Sequence, residues 1–528
     1  MAKRLFALTR VKRTIGATLL VIAGLLTLGA NGLAAGSGAC DFEADGFDDV
    51  AIGGIGEDIE SVDRAGAVHV LDGSATGMPT SVQFIHRGGV EYEDHPGVGD
   101  QFGQNLACGD FDGSGYRDLA VGVPFDDLGA IQDAGSVQVV YGSGGGLTIF
   151  DEVIHQDTPG IQGSAEASDW LGSSVATGDF NDDGFDDLAV GGRGEDAGAG
   201  ALGGAVWVLY GSMDGISTAG DQVWHQDSAD IEGIGEAGDQ FGYSLDVGDL
   251  DGDGIDDLAI GAPFEDVGSV SDAGSVNIIF GSGSGLTATG DQAFSRNSAG
   301  IKGVAVSGDA WSSSLGVGDF DGDGRDDLVV GSGLAQVGGL AEAGTANVIY
   351  GSADGLTEVG DQEWNQASPG IAGTAETGDR FAMSLAGGDF NGDGFDDLAI
   401  GVPGEALGST DGAGAVAVIL GSNTGLTSDG DQTWHQDSPG VKGVAEPGDH
   451  FGYPISSGDY NGNGRDELFV GITDEDVGSV EDAGALAILY GSSSGLSSND
   501  QLWDLTDLSG ASAGSNFGFT GGGFNGTV

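Results

Sequence analysis

The chain has 528 residues, with 84 acidic against 15 basic side chains and a formal net charge of −69. That balance excludes nucleic acid and anionic membrane surfaces as partners, because both are held through Lys and Arg. It fits a strongly hydrated secreted protein or one from a saline habitat. Glycine, at 106 residues, would suit a low-complexity chain, but the glycines fall at matching places in repeated segments, where turns need positive φ or close backbone approach.

At the N-terminus Lys3, Arg4, Arg10, Lys12 and Arg13 precede an apolar run over 15–28, and small residues follow at 34–36. This layout predicts a secretory signal peptide over 1–35, with residues 36–528 outside the cytoplasm. The run is shorter than the ~20 apolar residues of a spanning helix, and no later segment is apolar enough to cross a bilayer. Cys40 and Cys108 are the only two cysteines. An oxidising compartment permits a disulfide between them, and two separate thiols are the alternative.

From Asp41 onward an acidic stretch recurs, its first aspartate at Asp41, Asp110, Asp179, Asp249, Asp319, Asp389 and Asp459, so that successive copies lie 69, 69, 70, 70, 70 and 70 residues apart. A fixed period of this length points to one domain built of seven units. The fourth copy, 248–266, reads GDLDGDGIDDLAIGAPFED. Alternate carboxylates around a glycine turn can converge on a hard cation such as calcium, which takes about 6–8 oxygens. The expected ligands are the side chains of Asp249, Asp251, Asp253 and Asp257 with the backbone carbonyl of Ile255. Seven divalent ions would offset only 14 of the 69 excess charges.

Within that copy the strand signals are 241–249, 257–263, 275–282 and, as a fourth, 291–303, separated by the acidic loop and a polar connection at 264–274. No copy shows a helical apolar period, and Gly or Pro interrupts every run before ten residues. The expected fold is all-β, a seven-bladed β-propeller of four-stranded blades. Leu258, Ile260, Val276 and Ile278 alternate along strands and should pack between blades. Trp224, Trp364 and Trp434 recur late in their repeats as packing wedges or, if exposed, as sugar-stacking platforms. The unmatched C-terminal segment 515–524, SNFGFTGGGF, is expected to close the ring by completing the first blade.

Phe241-Gly242 and Gly261-Ala262-Pro263, flanking the acidic loop, resemble the FG-GAP repeats of the integrin α-subunit head. FG stands also at Phe102-Gly103, Phe451-Gly452 and Phe517-Gly518, and Gly-x-Pro at Gly122 to Pro124 and Gly401 to Pro403. Trp170-Leu171, Trp311-Ser312 and Phe381-Ala382 take the place of FG in other copies, and Gly331-Ser332-Gly333 that of GAP. The resemblance covers 36–528 and implies a seven-bladed calcium-binding propeller. Carried over by position, it implies ligands Asp41, Glu43, Asp45 and Asp49 in the first copy, and Asp110, Asp112, Ser114 and Asp118 in the second. The third has Asp179, Asn181, Asp183 and Asp187, and the fifth Asp319, Asp321, Asp323 and Asp327 with the carbonyl of Arg325. The sixth has Asp389, Asn391, Asp393 and Asp397 with the carbonyl of Phe395, and the seventh Asp459, Asn461, Asn463 and Glu467. Affinity follows carboxylate count, so the fourth and fifth Ca2+ sites should be tightest and the second and seventh weakest. An EF-hand is excluded, since the twelfth residues from Asp249 and Asp319 are Ile260 and Val330 rather than acids.

Nothing unrepeated suggests catalysis. His155, His225 and His435 share one repeat position, where Asn365 and Arg296 stand in other copies, so a ring would keep them apart. His86, Tyr92 and His95 lie in the irregular end of the first repeat, a partner-binding loop or a drifted blade edge. No nucleophile elbow, phosphate loop or zinc spacing occurs. The expectation is a non-enzymatic protein, secreted or at the cell surface, that recognises an extracellular protein or glycan ligand in adhesion. A carbohydrate-binding propeller or polysaccharide lyase is the alternative, because fold does not fix function.

Overall fold

A computed structural model describes residues 33–34, 40–504 and 507, apart from 60, 78–81, 89–95, 149–150, 199–200 and 481. The described residues form seven four-stranded antiparallel sheets and no helix, and the sheets are the blades of a propeller. In the fourth blade the strands run Ser244–Gly248, Asp257–Ala262, Ser275–Phe280 and Thr287–Phe294, from the axis outward. The inner three are buried at every position, because both faces of each blade lie against a neighbour. The outermost strand exposes Thr289 and Gly290 at its middle and buries Phe294 at its end.

The fourth strand begins earlier than the pattern suggested. Gly290, at φ +88, sits within it opposite a register shift between Ile278 and Phe280, so the glycine marks a bulge rather than a break. Residues after Phe294 turn instead: Ser295 N–H donates to Ser298 Oγ at 3.0 Å and Ser298 N–H to Ser295 O at 2.9 Å.

Each apolar core is shared by two blades. One joins Ala176, Phe180, Val206 and Val208 of the third blade to Phe241, Leu245, Leu258 and Ile260 of the fourth, with Trp224 packed against its edge. Trp364 and Trp434 flank the corresponding cores two and three blades on, which makes these rings packing wedges. The FG phenylalanines Phe102, Phe241, Phe381 and Phe451 have no solvent exposure. In the third blade Leu171-Gly172 takes the FG place, one residue later than the sequence pattern suggested: Gly135 bridges Leu171 as Gly66 bridges Phe102, and Gly172 has φ +84. A Cβ there would lie 2.5 Å from Ser136 O, which explains the glycine.

The ring closes by packing between the seventh and first blades. Val50, Ile52 and Leu71 pack with Tyr460, Phe469, Leu486 and Ile488. Tyr460 donates its hydroxyl to Asp72 O at 3.2 Å, and Tyr490 to Gly77 O at 2.6 Å. The innermost strand of the first sheet is Leu33–Ala34, paired with Ile52 and Ala51. It fills the place expected for the C-terminal segment and comes from within the expected signal peptide; 515–524 itself lies outside the described residues.

Cys40 and Cys108 form a disulfide, with Cα atoms 5.4 Å apart, between the first and second blades. Replacing both by serine is expected to cost about 2–4 kcal/mol, read as a lower denaturation midpoint with a larger m value, because the unlinked chain exposes more surface on unfolding.

Candidate metal centres

Every second strand starts at an acidic loop and ends on the opposite face, so the seven loops share one face of the disc. In the fourth loop the two glycines at φ +74 and +88, Gly252 and Gly254, fold the chain back on its first aspartate. Asp249 Oδ1 and Oδ2 accept from Asp253 and Gly254 N–H at 3.0 and 2.9 Å. Asp257, wholly buried, accepts from Leu250 and Gly281 N–H at 3.0 and 2.9 Å, which fixes it at the floor of the loop.

Four loops gather three carboxylates with oxygens within 4.8 Å of one another: Asp41, Glu43 and Asp49; Asp110, Asp112 and Asp118; Asp249, Asp251 and Asp257; Asp319, Asp321 and Asp327. The donor set is all hard oxygen, which suits a divalent cation. Burial, with neighbouring carboxylates adding to it, pushes Asp118 up to about 7, Asp257 to about 8 and Asp327 to about 9.

The third expected acid stands apart from each trio. Asp45, Asp253 and Asp323 accept the N–H two residues on, from Phe47, Ile255 and Arg325, at 3.2, 3.0 and 3.1 Å, on the exposed turn. Ser114 does the same for Tyr116 at 3.3 Å. Serine there leaves the second loop's trio intact, so that loop groups with the fourth and fifth rather than with the seventh.

Three loops replace the second acid by asparagine. Asn181 Nδ2 donates to Asp187 at 3.3 Å, Asn391 to Asp397 at 3.3 Å and Asn461 to Glu467 at 2.5 Å. The amide thus occupies the side of the carboxylate that an acid would share with a cation. Asp183 and Asp393 cap Phe185 and Phe395 N–H at 3.1 and 3.2 Å, as in the other turns, and Asp179, Asp389 and Asp459 hold the glycine turns. Asn463 N–H donates to Asp459 at 2.9 Å.

The acid just before the floor residue was not singled out from the sequence. Asp186, Asp256, Asp326, Asp396, Asp466 and Asp48 each accept the N–H of the preceding blade's first loop aspartate, at 2.7, 2.8, 2.9, 3.0, 2.8 and 3.0 Å. The last of these, Asp459 N–H to Asp48, spans the closure of the ring. The acid pair at the start of six of the seven second strands was the available signal. Only its second member is a floor residue; the first links neighbouring loops.

The FG-GAP repeat family matches residues 171–209, 241–278, 311–347 and 381–419, the inner three strands of the third to sixth blades. Four of the seven blades thus carry FG-GAP repeats. Its relatives include phosphatidylinositol-glycan-specific phospholipase D of Rattus norvegicus, 32% identical over 31% of this chain and 19% of that protein. Integrin alpha pat-2 of Caenorhabditis elegans is 31% identical over 44% of this chain and 18% of that one. Integrin alpha-5 of Xenopus laevis is 29% identical over 44% and 20%. The FG-GAP chain spans about a fifth of the length of these relatives. Among solved structures, rhamnogalacturonan lyase YesW overlays with a TM-score of 0.32 and 12% identity, over 88% of this chain and 91% of that one.

On the face away from the loops, the FG-GAP propeller carries an arginine without an acid. Arg193, 6% exposed, lies between the rings of Trp170 and Tyr243, its guanidinium carbon 5.5 and 5.1 Å from their centres. Its Nε and the indole N–H of Trp170 are buried without a hydrogen-bond acceptor. Tyr453 stands near both it and Arg380.

Among the described residues the histidines form no cluster across blades. His86, His155, His225 and His435 each follow an outermost strand of a different blade. The same turn in the fourth blade carries Ser295, not Arg296: His155, His225, Ser295, Asn365 and His435 all donate their N–H to a hydroxyl three residues on. His86 therefore belongs to the repeat rather than to an irregular end; Tyr92 and His95 lie outside the described residues. Arg296 takes the place of Gln156, Gln226, Gln366 and Gln436, each of which donates to a glutamate of the next blade.

Proposed function

We propose that this FG-GAP propeller is a secreted or cell-surface module, stabilised by calcium, that recognises an extracellular protein in adhesion. Recognition uses the face opposite the acidic loops. The observation that carries this reading is the placing of all four carboxylate trios on one face, which leaves the unpaired Arg193 and its aromatic neighbours on the other. Asp41, Glu43 and Asp49, with the trios around Asp118, Asp257 and Asp327, would hold the ions; the bound cation supplies positive charge to a loop tip that otherwise repels itself. The three asparagine loops are the weaker sites. Export rests on the basic and then apolar leader-like segment that precedes the strand Leu33–Ala34, and the integrin relatives support a role at the cell surface.

An arginine buried without a carboxylate, in a chain of 84 acids, suits an acidic group brought by a partner. The calcium-loaded protein on beads, offered a panel of extracellular proteins before and after their deglycosylation, is expected to capture a protein irrespective of its glycans. Arg193→Ala should weaken that capture about tenfold or more while leaving the melting temperature within a few degrees. Binding confined to a glycan array, or cleavage of an acidic polysaccharide, would sink the protein-recognition reading.

A further inference from the structure

The innermost strands meet around the ring axis, and closure there demands small side chains. At one register position they carry Ala107, Ala176, Gly316, Ala386 and Ser456, opposite Ala120, Ala189, Val329, Ala399 and Phe469 of the second strands. The fourth blade breaks this pattern with Asp246, opposite Ala259. Its side chain is completely buried, and Ser456, from a blade almost across the ring, is 3% exposed.

Asp246 Oδ1 accepts the N–H of Val247 at 2.9 Å. Its Oδ2 has no partner, and neither has Ser456 Oγ. Both residues line one axial cavity of about 10 Å³, whose other walls are Gly316, Val317, Leu385, Ala386, Gly387 and Ser457, without a Lys, Arg or His; the Ser457 hydroxyl is already engaged, donating to Gly387 O. That volume is about one water-sized particle. Burial holds the Asp246 carboxyl well above the usual carboxylate range, so its ionised form must bring a counter-charge with it.

We propose that the axial cavity binds one monovalent cation of sodium size, held by Asp246 Oδ2 and Ser456 Oγ. The sign follows from the lone carboxylate among oxygen donors. The valence follows from neutrality, since a divalent ion would leave one uncompensated charge among buried groups. The size follows from the cavity. This site is distinct from the acidic loops, which lie on one face of the disc and are read as divalent.

The test uses the full chain saturated with calcium, melted in sodium chloride and in choline chloride at equal ionic strength. Wild type is expected to melt about 2–4 °C higher in sodium. Asp246→Asn, which keeps the shape and removes the charge, should abolish that difference, and Ser456→Ala should shrink it. Crystals soaked in thallium(I) acetate should show an anomalous peak in the axial cavity. Equal melting in the two salts, a sodium effect that persists undiminished in both variants, or an axial cavity holding only water after the thallium soak would each overturn the assignment. If Asp246→Asn does not fold, Ser456→Ala and the thallium soak still decide it.

Discussion

Chelation of calcium is expected to remove about 11 kcal/mol of unfolding free energy, enough to unfold the ring or bring it to the edge of unfolding. An ion present at a hundred times its Kd adds about 2.7 kcal/mol per site, and the described residues hold four three-carboxylate trios. Whole domains are stable by only about 5–15 kcal/mol. Asp257→Asn and Asp327→Asn should each lose roughly one site's share when calcium is plentiful and little or nothing in chelator. Asp187→Asn, in a loop where Asn181 already binds the floor acid, should lose less. Equal losses with and without calcium at Asp257 and Asp327 would show that these acids serve the fold without an ion.

The same acids set the response to pH. In the metal-free protein, burial pushes Asp257 up to about 8 and Asp327 to about 9, against about 3.9 unfolded. The folded state then binds more protons than the unfolded one between those values. Their contribution is fully present below about pH 4 and is lost as pH rises through about 8–9. Metal-free protein should therefore melt higher at pH 5 than at pH 8. Calcium competes with those protons, so its stabilising effect should be largest at pH 8; thermal melts at both pH values, with calcium and with chelator, check both signs.

Arg296→Ala is expected to cost about 3–5 kcal/mol, because it strands a buried carboxylate. Arg296 Nη1 lies 3.0 Å from Asp309 Oδ2, both nearly unexposed, and Nη2 reaches Glu363 at 2.5 Å. In four other blades a glutamine in this place donates to a glutamate of the next blade, as Gln366 does to Glu405 at 2.6 Å. Here the residue corresponding to that glutamate is Ala335, two residues beyond Gly333 as Glu405 lies two beyond Pro403. Arg296→Gln alone should recover only part of the loss, and Arg296→Gln with Ala335→Glu should recover most of it. A double variant no better than Arg296→Gln would deny the coupling. Urea titration of the calcium-loaded protein gives all three values.

The seven blades were legible because the period is long and regular, and because glycine pairs such as Gly252 and Gly254 fix each acidic turn. The strands nearest the loops were placed well, since both their ends are marked by acids and glycines. The outermost strand was misplaced where Gly290 reads as a break but sits in a bulge. The floor acids were legible from spacing alone, whereas the separation of Asp253 from the trio was not: alternate residues on a turn do not all face inward, and the N–H of Ile255 competes for that carboxylate. Arg296 was assigned to the histidine place because the copies drift by one residue there, and only the hydrogen bond of Ser295 fixes the register. The environment of Arg193 was invisible, since Trp170 and Tyr243 come from neighbouring blades.

Six of the seven joints between blades are fastened by a carboxylate catching the N–H of the loop beside it. At the joint between the first and second blades Arg117 stands in the carboxylate's place and turns to Asp186 of the third. The two cysteines meet at that same joint. The covalent bond thus stands at the one joint that lacks this carboxylate catch, so reduction should decide whether the hoop springs open there first.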